Sequence, residues 1–192
     1  MLTSPMLQDV YRNAGVVDTG RYLTTVNELC DQLPALRPEL LWYVASHLRT
    51  KLDLGSVDKI LVEEEKGAPI ATAVSLTTGI PLAMARRYPY DFPGTPYAFA
   101  SEYERGALYV NGIEPGDHVC IVDDTLSTGG TVEALVNAVR ERGAKVTQVA
   151  VVVEKPGNGG RARLEGGLGV PVCSLLSIEV DADGVRVLEG IG

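Results

Sequence analysis

Positive charge is scarce in this chain. Among 192 residues, seventeen lysines and arginines face twenty-five aspartates and glutamates, for a net charge of -8. Such a surface disfavours non-specific binding to the phosphate backbone of nucleic acid, so any anionic ligand has to be held by a local basic patch. Cysteine is scarcer still: Cys30, Cys120 and Cys173 stand far apart, which suits neither a disulfide framework nor a zinc site. Cys120 lies inside an apolar run and reads as a small buried hydrophobe. The two histidines, His47 and His118, lack a partner pattern for metal binding or nucleophilic catalysis and read as structural. No apolar run approaches the roughly 18 residues that cross a bilayer. The opening MLTSPMLQDVYRNAG has no basic region followed by a long apolar stretch, so a cytoplasmic protein without membrane contact is expected. Repeats, low-complexity tracts and domain linkers are missing too, and residues 1–192 read as one domain.

What is present has the composition of a globular protein, 45% hydrophobic and 22% charged, enough for one substantial core. RPELLWYVASHLRTKL (37–52) spaces Leu40, Leu41, Val44, Leu48 and Leu52 as a helix with a proline near its start. DKILVE (58–63), IPLAMAR (80–86), HVCIVDD (118–124), KVTQVAVVVE (145–154) and PVCSLLSIEV (171–180) read as strands, the last closing the series. GAPIATAVSLTTG and GGTVEALVNAVRERGA read as the helices between them. Continuous rather than alternating apolar runs, separated by helices, predict an α/β fold with a mainly parallel sheet covered on both faces. In such sheets ligands bind beyond the carboxyl ends of the strands.

VCIVDDTLSTGGT (119–131) lies at that end of a central strand. Asp123 and Asp124 close the apolar run, and residues 125–130 turn into the next helix. The first N–H groups of a helix have no internal partner and carry the positive end of its dipole, so this turn can cradle a phosphate monoester. Gly129 and Gly130 admit close backbone approach, and Thr125, Ser127, Thr128 and Thr131 bring hydroxyls. Two carboxylates would repel the phosphate itself. They suit the vicinal hydroxyls of a ribose, or a magnesium ion bridging sugar and phosphate, and together the features describe a ribose 5-phosphate.

This stretch resembles the phosphoribosyl pyrophosphate (PRPP) signature of the type I phosphoribosyltransferases. LVEEEKGAPIATAVSLTTGIPLAMARR, FPG, GALYVNGIEPGDHVCIVDDTLSTGGT and VVVEKPGNG follow the purine members in order, most closely the archaeal hypoxanthine/guanine type and next the adenine enzymes. AGVVDTGRY and LRPELLWYVASHL extend the similarity over nearly the whole chain. The resemblance implies the type I fold, with a small hood at about residues 1–36 and a mobile catalytic loop at about 88–108. It implies transfer of a 5-phosphoribosyl group from PRPP to a purine with release of pyrophosphate, Mg2+ as cofactor, and a homodimer. By the same resemblance Asp123 and Asp124 would hold the ribose hydroxyls, with an indirect role toward metal. Thr125, Ser127, Thr128, Gly129, Gly130 and Thr131 would hold the 5-phosphate. Glu65, Lys66 and Gly67 would face pyrophosphate through backbone N–H groups, with Lys66 adding a cation. Arg86 and Arg87 match a basic pair of the purine enzymes and would supply the local patch that an acidic chain needs.

The segment YPYDFPGTPYAFASEYERGAL (88–108), rich in proline and aromatics, reads as long and irregular. Its SEYERG resembles a loop motif of adenine enzymes, which puts Glu102 in reach of the purine ring proton and Arg105 near pyrophosphate. Closing such a loop keeps water from the oxocarbenium-like centre that forms as pyrophosphate leaves. Three departures concern charge. Ser127 stands where bacterial and eukaryotic hypoxanthine/guanine enzymes carry an acid, Lys66 where the archaeal type commonly has a nonpolar residue, and Tyr88 where it has a basic one. With Ser127 unable to titrate near neutrality, either Glu102 or water takes the purine proton. Lys155, in EKPGNGG after the strand at 145–154, either faces solvent beside a turn or donates to a 6-keto oxygen, which favours hypoxanthine or guanine over adenine. An unusual purine or deazapurine, orotate, and a regulator that senses PRPP or a purine stay open. The single basic residue of SEYERGAL speaks against orotate, and the absence of a basic helix-turn-helix against the regulator.

Overall fold

The structure, a computed structural model, describes residues 5–20, 22–88, 96–100 and 105–188. Its main sheet has eight strands. In chain order these are β3 (Lys59–Glu63), β4 (Leu82–Arg86), β5 (Pro96–Ala100), β6 (Arg105–Val110), β7 (His118–Leu126), β8 (Lys145–Glu154), β9 (Val172–Asp181) and β10 (Gly184–Leu188). They lie side by side as β10-β9-β8-β7-β3-β4-β6-β5. The five central strands, from β9 to β4, run parallel, and β10, β6 and β5 are antiparallel additions at the two edges. Before this sheet come α1 (Pro5–Arg12), a small antiparallel pair of β1 (Gly15–Asp18) and β2 (Leu23–Val26), the short α2 (Glu28–Asp31) and α3 (Pro38–Lys51). Crossover helices α4 (Ala68–Thr78) and α5 (Gly130–Glu141) complete the layers.

Side-chain alternation along the central strands divides the interior into two cores. Leu61, Val119, Ile121, Val149 and Val151 pack under α5 with Leu135, Val136 and Val139. Their neighbours Ile60, Val62, Cys120, Val122, Ala150 and Val152 pack on the other face with Leu40, Val44 and Leu48 of α3 and Ile70 and Val74 of α4. A strand buried on both faces has no polar alternate to spare, hence the continuous apolar runs in the sequence. Each fully buried branched side chain contributes about 1.5–3 kcal/mol. Cys120 is fully buried with its thiol pushed up by that burial, as a small hydrophobe should be.

Three features depart from the sequence reading. The segment at 88–108 is not irregular throughout: β5 and β6 pair from Pro96 with Tyr109 to Ala100 with Arg105. PYAFA alternates aromatics with alanines at the period of a strand. Its proline is tolerated because it opens an edge strand, where no ladder N–H is missed. The series does not close at residue 180, since β10 folds back antiparallel on β9 across a turn at 181–184. The β1–β2 pair was legible only as part of a resemblance, because four-residue strands carry too little periodicity.

Candidate active site

Parallel neighbours end along one edge, so β8, β7, β3 and β4 deliver four loops to the same place. A pocket opens there, lined by Glu63, Glu65, Lys66 and Arg87 on one side and by residues 123–132 on the other. The two sides touch at Gly67. A Cβ there would sit 2.7 Å from Asp123 Oδ1 and 2.9 Å from Val62 Cγ2, so the turn into α4 lies directly against the carboxylate. Opposite, Gly129 caps α5 with φ 78°, a conformation that L side chains rarely adopt, and its hypothetical Cβ would be 3.3 Å from Gly160 Cα. The start of α5 is therefore bare backbone facing the pocket.

Asp123 and Asp124 are both buried. The Asp124 N–H donates to Asp123 Oδ1 at 2.9 Å, and Thr125 Oγ1 donates to Asp124 Oδ2 at 2.9 Å. Burial, and then the charge of Asp124, push the Asp123 carboxyl well above the usual carboxylate range. Ionising it is costly unless hydroxyl donors or a cation arrive. Two adjacent hard carboxylates beside an anion cradle fit Mg2+, which takes one or two carboxylates and fills its octahedron with substrate oxygens and water. Among the described residues no group of three or more His, Cys, Asp or Glu side chains is placed to hold an ion.

The cations of the site are paired with acids. Arg87 Nε donates to Glu63 Oε1 at 2.8 Å and its Nη2 lies 2.8 Å from Glu65 Oε2. Arg86 Nη1 donates to Glu64 Oε2 at 3.0 Å, and the other oxygen of Glu64 accepts from the Arg87 backbone N–H at 2.9 Å. Burial pushes the Glu63 carboxyl up against the opposing pull of Arg87. Lys66 Nζ lies 2.7 Å from Asp31 Oδ1 of α2. The Glu65 N–H donates to Glu63 Oε2 at 3.3 Å.

The structure thus gathers Asp123, Asp124, Thr125, Ser127, Thr128, Gly129, Gly130, Thr131, Glu65, Lys66 and Arg87 around one pocket, with Gly67 packed against its floor. Arg86 does not line it: it turns toward Glu64 and Tyr88 Oη, 3.3 Å from its Nη1. Lys155 is apart as well, and its solvent-facing alternative fails. The side chain is 5% exposed, and Nζ donates to the Leu23 carbonyl of β2 at 3.2 Å. Glu102 lies outside the described residues, and Arg105 opens β6 with only its backbone described. Sequence reasoning missed Asp31, Glu63 and Glu64 as partners of the cations. It also missed Asn158, whose Nδ2 donates to Ser127 Oγ at 2.6 Å and ties the loop after β8 to the turn into α5. EEEK and RR were visible as charge, but only the register of β3 on β4 brings them together.

A family model described as a phosphoribosyl transferase domain matches residues 44–163. A hypoxanthine/guanine phosphoribosyltransferase of Methanohalophilus mahii is 37% identical over 188 residues, covering 97% of each chain. That of Methanosalsum zhilinae is 40% identical over 188 residues, covering 96% of this chain and 97% of the other. Among solved structures, an adenine phosphoribosyltransferase from Rhodothermus marinus superposes with a TM-score of 0.74 at 25% identity, covering 89% of this chain and 97% of that one.

Proposed function

The chain belongs to the phosphoribosyl transferase family, and on that premise we propose that it transfers the 5-phosphoribosyl group of PRPP to a purine base, hypoxanthine or guanine before adenine, giving the nucleoside 5'-monophosphate and pyrophosphate. One observation carries the reading. Two adjacent buried carboxylates and the bare glycine turn of α5 share a pocket with the carboxylate-held guanidinium of Arg87. A sugar phosphate activated by an anionic leaving group needs those three features within one site.

In this reading the N–H groups at the start of α5 and the hydroxyls of Thr125, Ser127, Thr128 and Thr131 take the 5-phosphate. Asp123 and Asp124 accept from the ribose hydroxyls, which relieves the cost of keeping two carboxylates ionised side by side. Arg87, Lys66 and the backbone of residues 65–67 stabilise the charge that grows on pyrophosphate as the bond to C1 breaks. Arg86 supports them through Glu64. Asp123 and Asp124 would hold Mg2+ indirectly, and the ion would supply further charge neutralisation. Glu102 and Arg105 belong to the loop that excludes water, Glu102 taking the purine ring proton.

The similar proteins named hypoxanthine/guanine phosphoribosyltransferase support a 6-oxopurine. Lys155 would donate to its 6-keto oxygen by leaving the Leu23 carbonyl of β2, an acceptor of the same kind, whereas a 6-amino group offers none. The proposal includes a homodimer and a cytoplasmic site of action, where a highly charged sugar phosphate is made and retained. No helix among the described residues is long and apolar enough to cross a membrane.

The test is pyrophosphate release from PRPP and Mg2+ with hypoxanthine, guanine, adenine, xanthine, orotate and several deazapurines, and the Asp123→Asn/Asp124→Asn variant as control. Turnover of a 6-oxopurine, lost in the control, is expected. Turnover of adenine alone would move the acceptor, and PRPP binding with no turnover of any base would favour a sensor.

A further inference from the structure

Glu63, Glu64 and Glu65 leave the same strand end, yet they hold their arginines differently. Glu63 has a side chain only 8% exposed and binds Arg87 Nε, while Glu64 is 17% exposed and bridges the Arg86 side chain and the Arg87 backbone. Glu65 is 49% exposed and makes its contact at Nη2 of the same guanidinium, and both Glu63 and Glu65 line the pocket with Arg87. Resting on the phosphoribosyl-transfer reading, we propose that the Glu65 carboxylate is a displaceable occupant of the Arg87 subsite that the diphosphate group takes, while Glu63 is the positioning residue that aims the guanidinium.

The magnitudes separate the two roles. A half-exposed carboxylate–arginine pair shifts an equilibrium by at most roughly fivefold, so an incoming anion can replace it. Removing one partner of a buried pair costs far more, on the order of a hundredfold, because a desolvated charge is left behind. Diphosphate carries more charge than a carboxylate and presents oxygens at the spacing of the guanidinium fork, which makes it the stronger ligand for Arg87. Between turnovers Glu65 covers Nη2 while Glu63 holds Nε of the same guanidinium. The Glu65 carboxylate returns to Arg87 as pyrophosphate departs, so it competes with product as well as substrate.

Titrating inorganic pyrophosphate with Mg2+ into the full chain by calorimetry, beside steady-state KM and kcat for PRPP, tests this. Glu65→Gln and Glu65→Ala should each bind pyrophosphate tighter than wild type, by up to roughly fivefold, with a lower KM for PRPP and a kcat that is equal or lower as release slows. Glu63→Gln should bind it at least about tenfold weaker. Equal or weaker binding by both Glu65 variants, in a wild-type protein that does turn over a purine, would overturn the assignment and spare the enzyme reading. Tighter binding by the Glu65 variants in a protein that turns over no base would sink the transfer reading and leave the Arg87 subsite standing. A wild-type chain that binds no pyrophosphate sinks both.

Discussion

Asp123 concentrates the tension of the site in one side chain. Its carboxyl is raised by burial and by Asp124, so the fold favours its protonated form. That contribution is fully present below the unfolded carboxyl value of about 3.9 and is lost as pH rises through the higher folded value. As pH rises above the unfolded value, burying this carboxyl therefore destabilises the fold relative to an uncharged amide. Asp123→Asn should raise Tm by a few degrees at pH 7, with the gain closing toward pH 4, while PRPP binding is lost; calorimetric scans at the two pH values read the difference. Gly67→Ala tests the same residue from its other side. The new methyl would need the place of Asp123 Oδ1 and Val62 Cγ2, at 2.7 and 2.9 Å, which costs about 1–3 kcal/mol and pushes the carboxylate aside. A Tm drop together with at least about a tenfold rise in KM for PRPP is expected. The glycines were legible in the sequence as freedom of backbone; that Gly67 is needed for closeness to Asp123 was not, because the two lie more than fifty residues apart and meet only through β3 and β7.

Each site element is steadied by a neighbour that does not enter the pocket. The turn after β8, a short 3-10 stretch at Pro156–Asn158, is held from behind by buried Glu154. Glu154 accepts from Arg161 Nε at 3.0 Å and from Ser177 Oγ of β9 at 3.2 Å. Arg161→Ala would leave that carboxylate buried without its cation, at a cost on the order of 3–5 kcal/mol. Thermal unfolding should show the loss, and because Asn158 of this turn donates to Ser127 Oγ, KM for PRPP should rise along with KM for the base. Gly129→Ala should separate the two substrates. Forcing a Cβ into φ 78° beside Gly160 costs about 1–2 kcal/mol and should weaken PRPP binding more than base binding. Helices α3, α4 and α5 and the five parallel strands were readable, since apolar spacing and cap residues are local signals. β1, β2, β5, β6 and β10 were not, because short or edge strands gain their identity from pairing partners.

Over the whole molecule the excess of acid remains the dominant fact. A net charge of -8 predicts no measurable binding of duplex DNA by fluorescence anisotropy at 50–100 mM salt; tight binding would revive the regulator reading. Lys66 pairs with Asp31 of α2 and Lys155 donates to the Leu23 carbonyl of β2, so elements that precede the main sheet contact the segments after β3 and β8. By itself the sequence determined the layered α/β class, the parallel centre and the placing of an acid pair against the glycine turn into a helix. All of these follow from patterns within a few turns of chain, where residue spacing sets the geometry. Only the tertiary structure decided which cation meets which acid, that Arg87 and not Arg86 lines the pocket, and that Lys155 is buried against β2. Those pairings join residues from different strands and loops, and an ion pair is fixed by distance and burial in space, neither of which is written in the order of the residues.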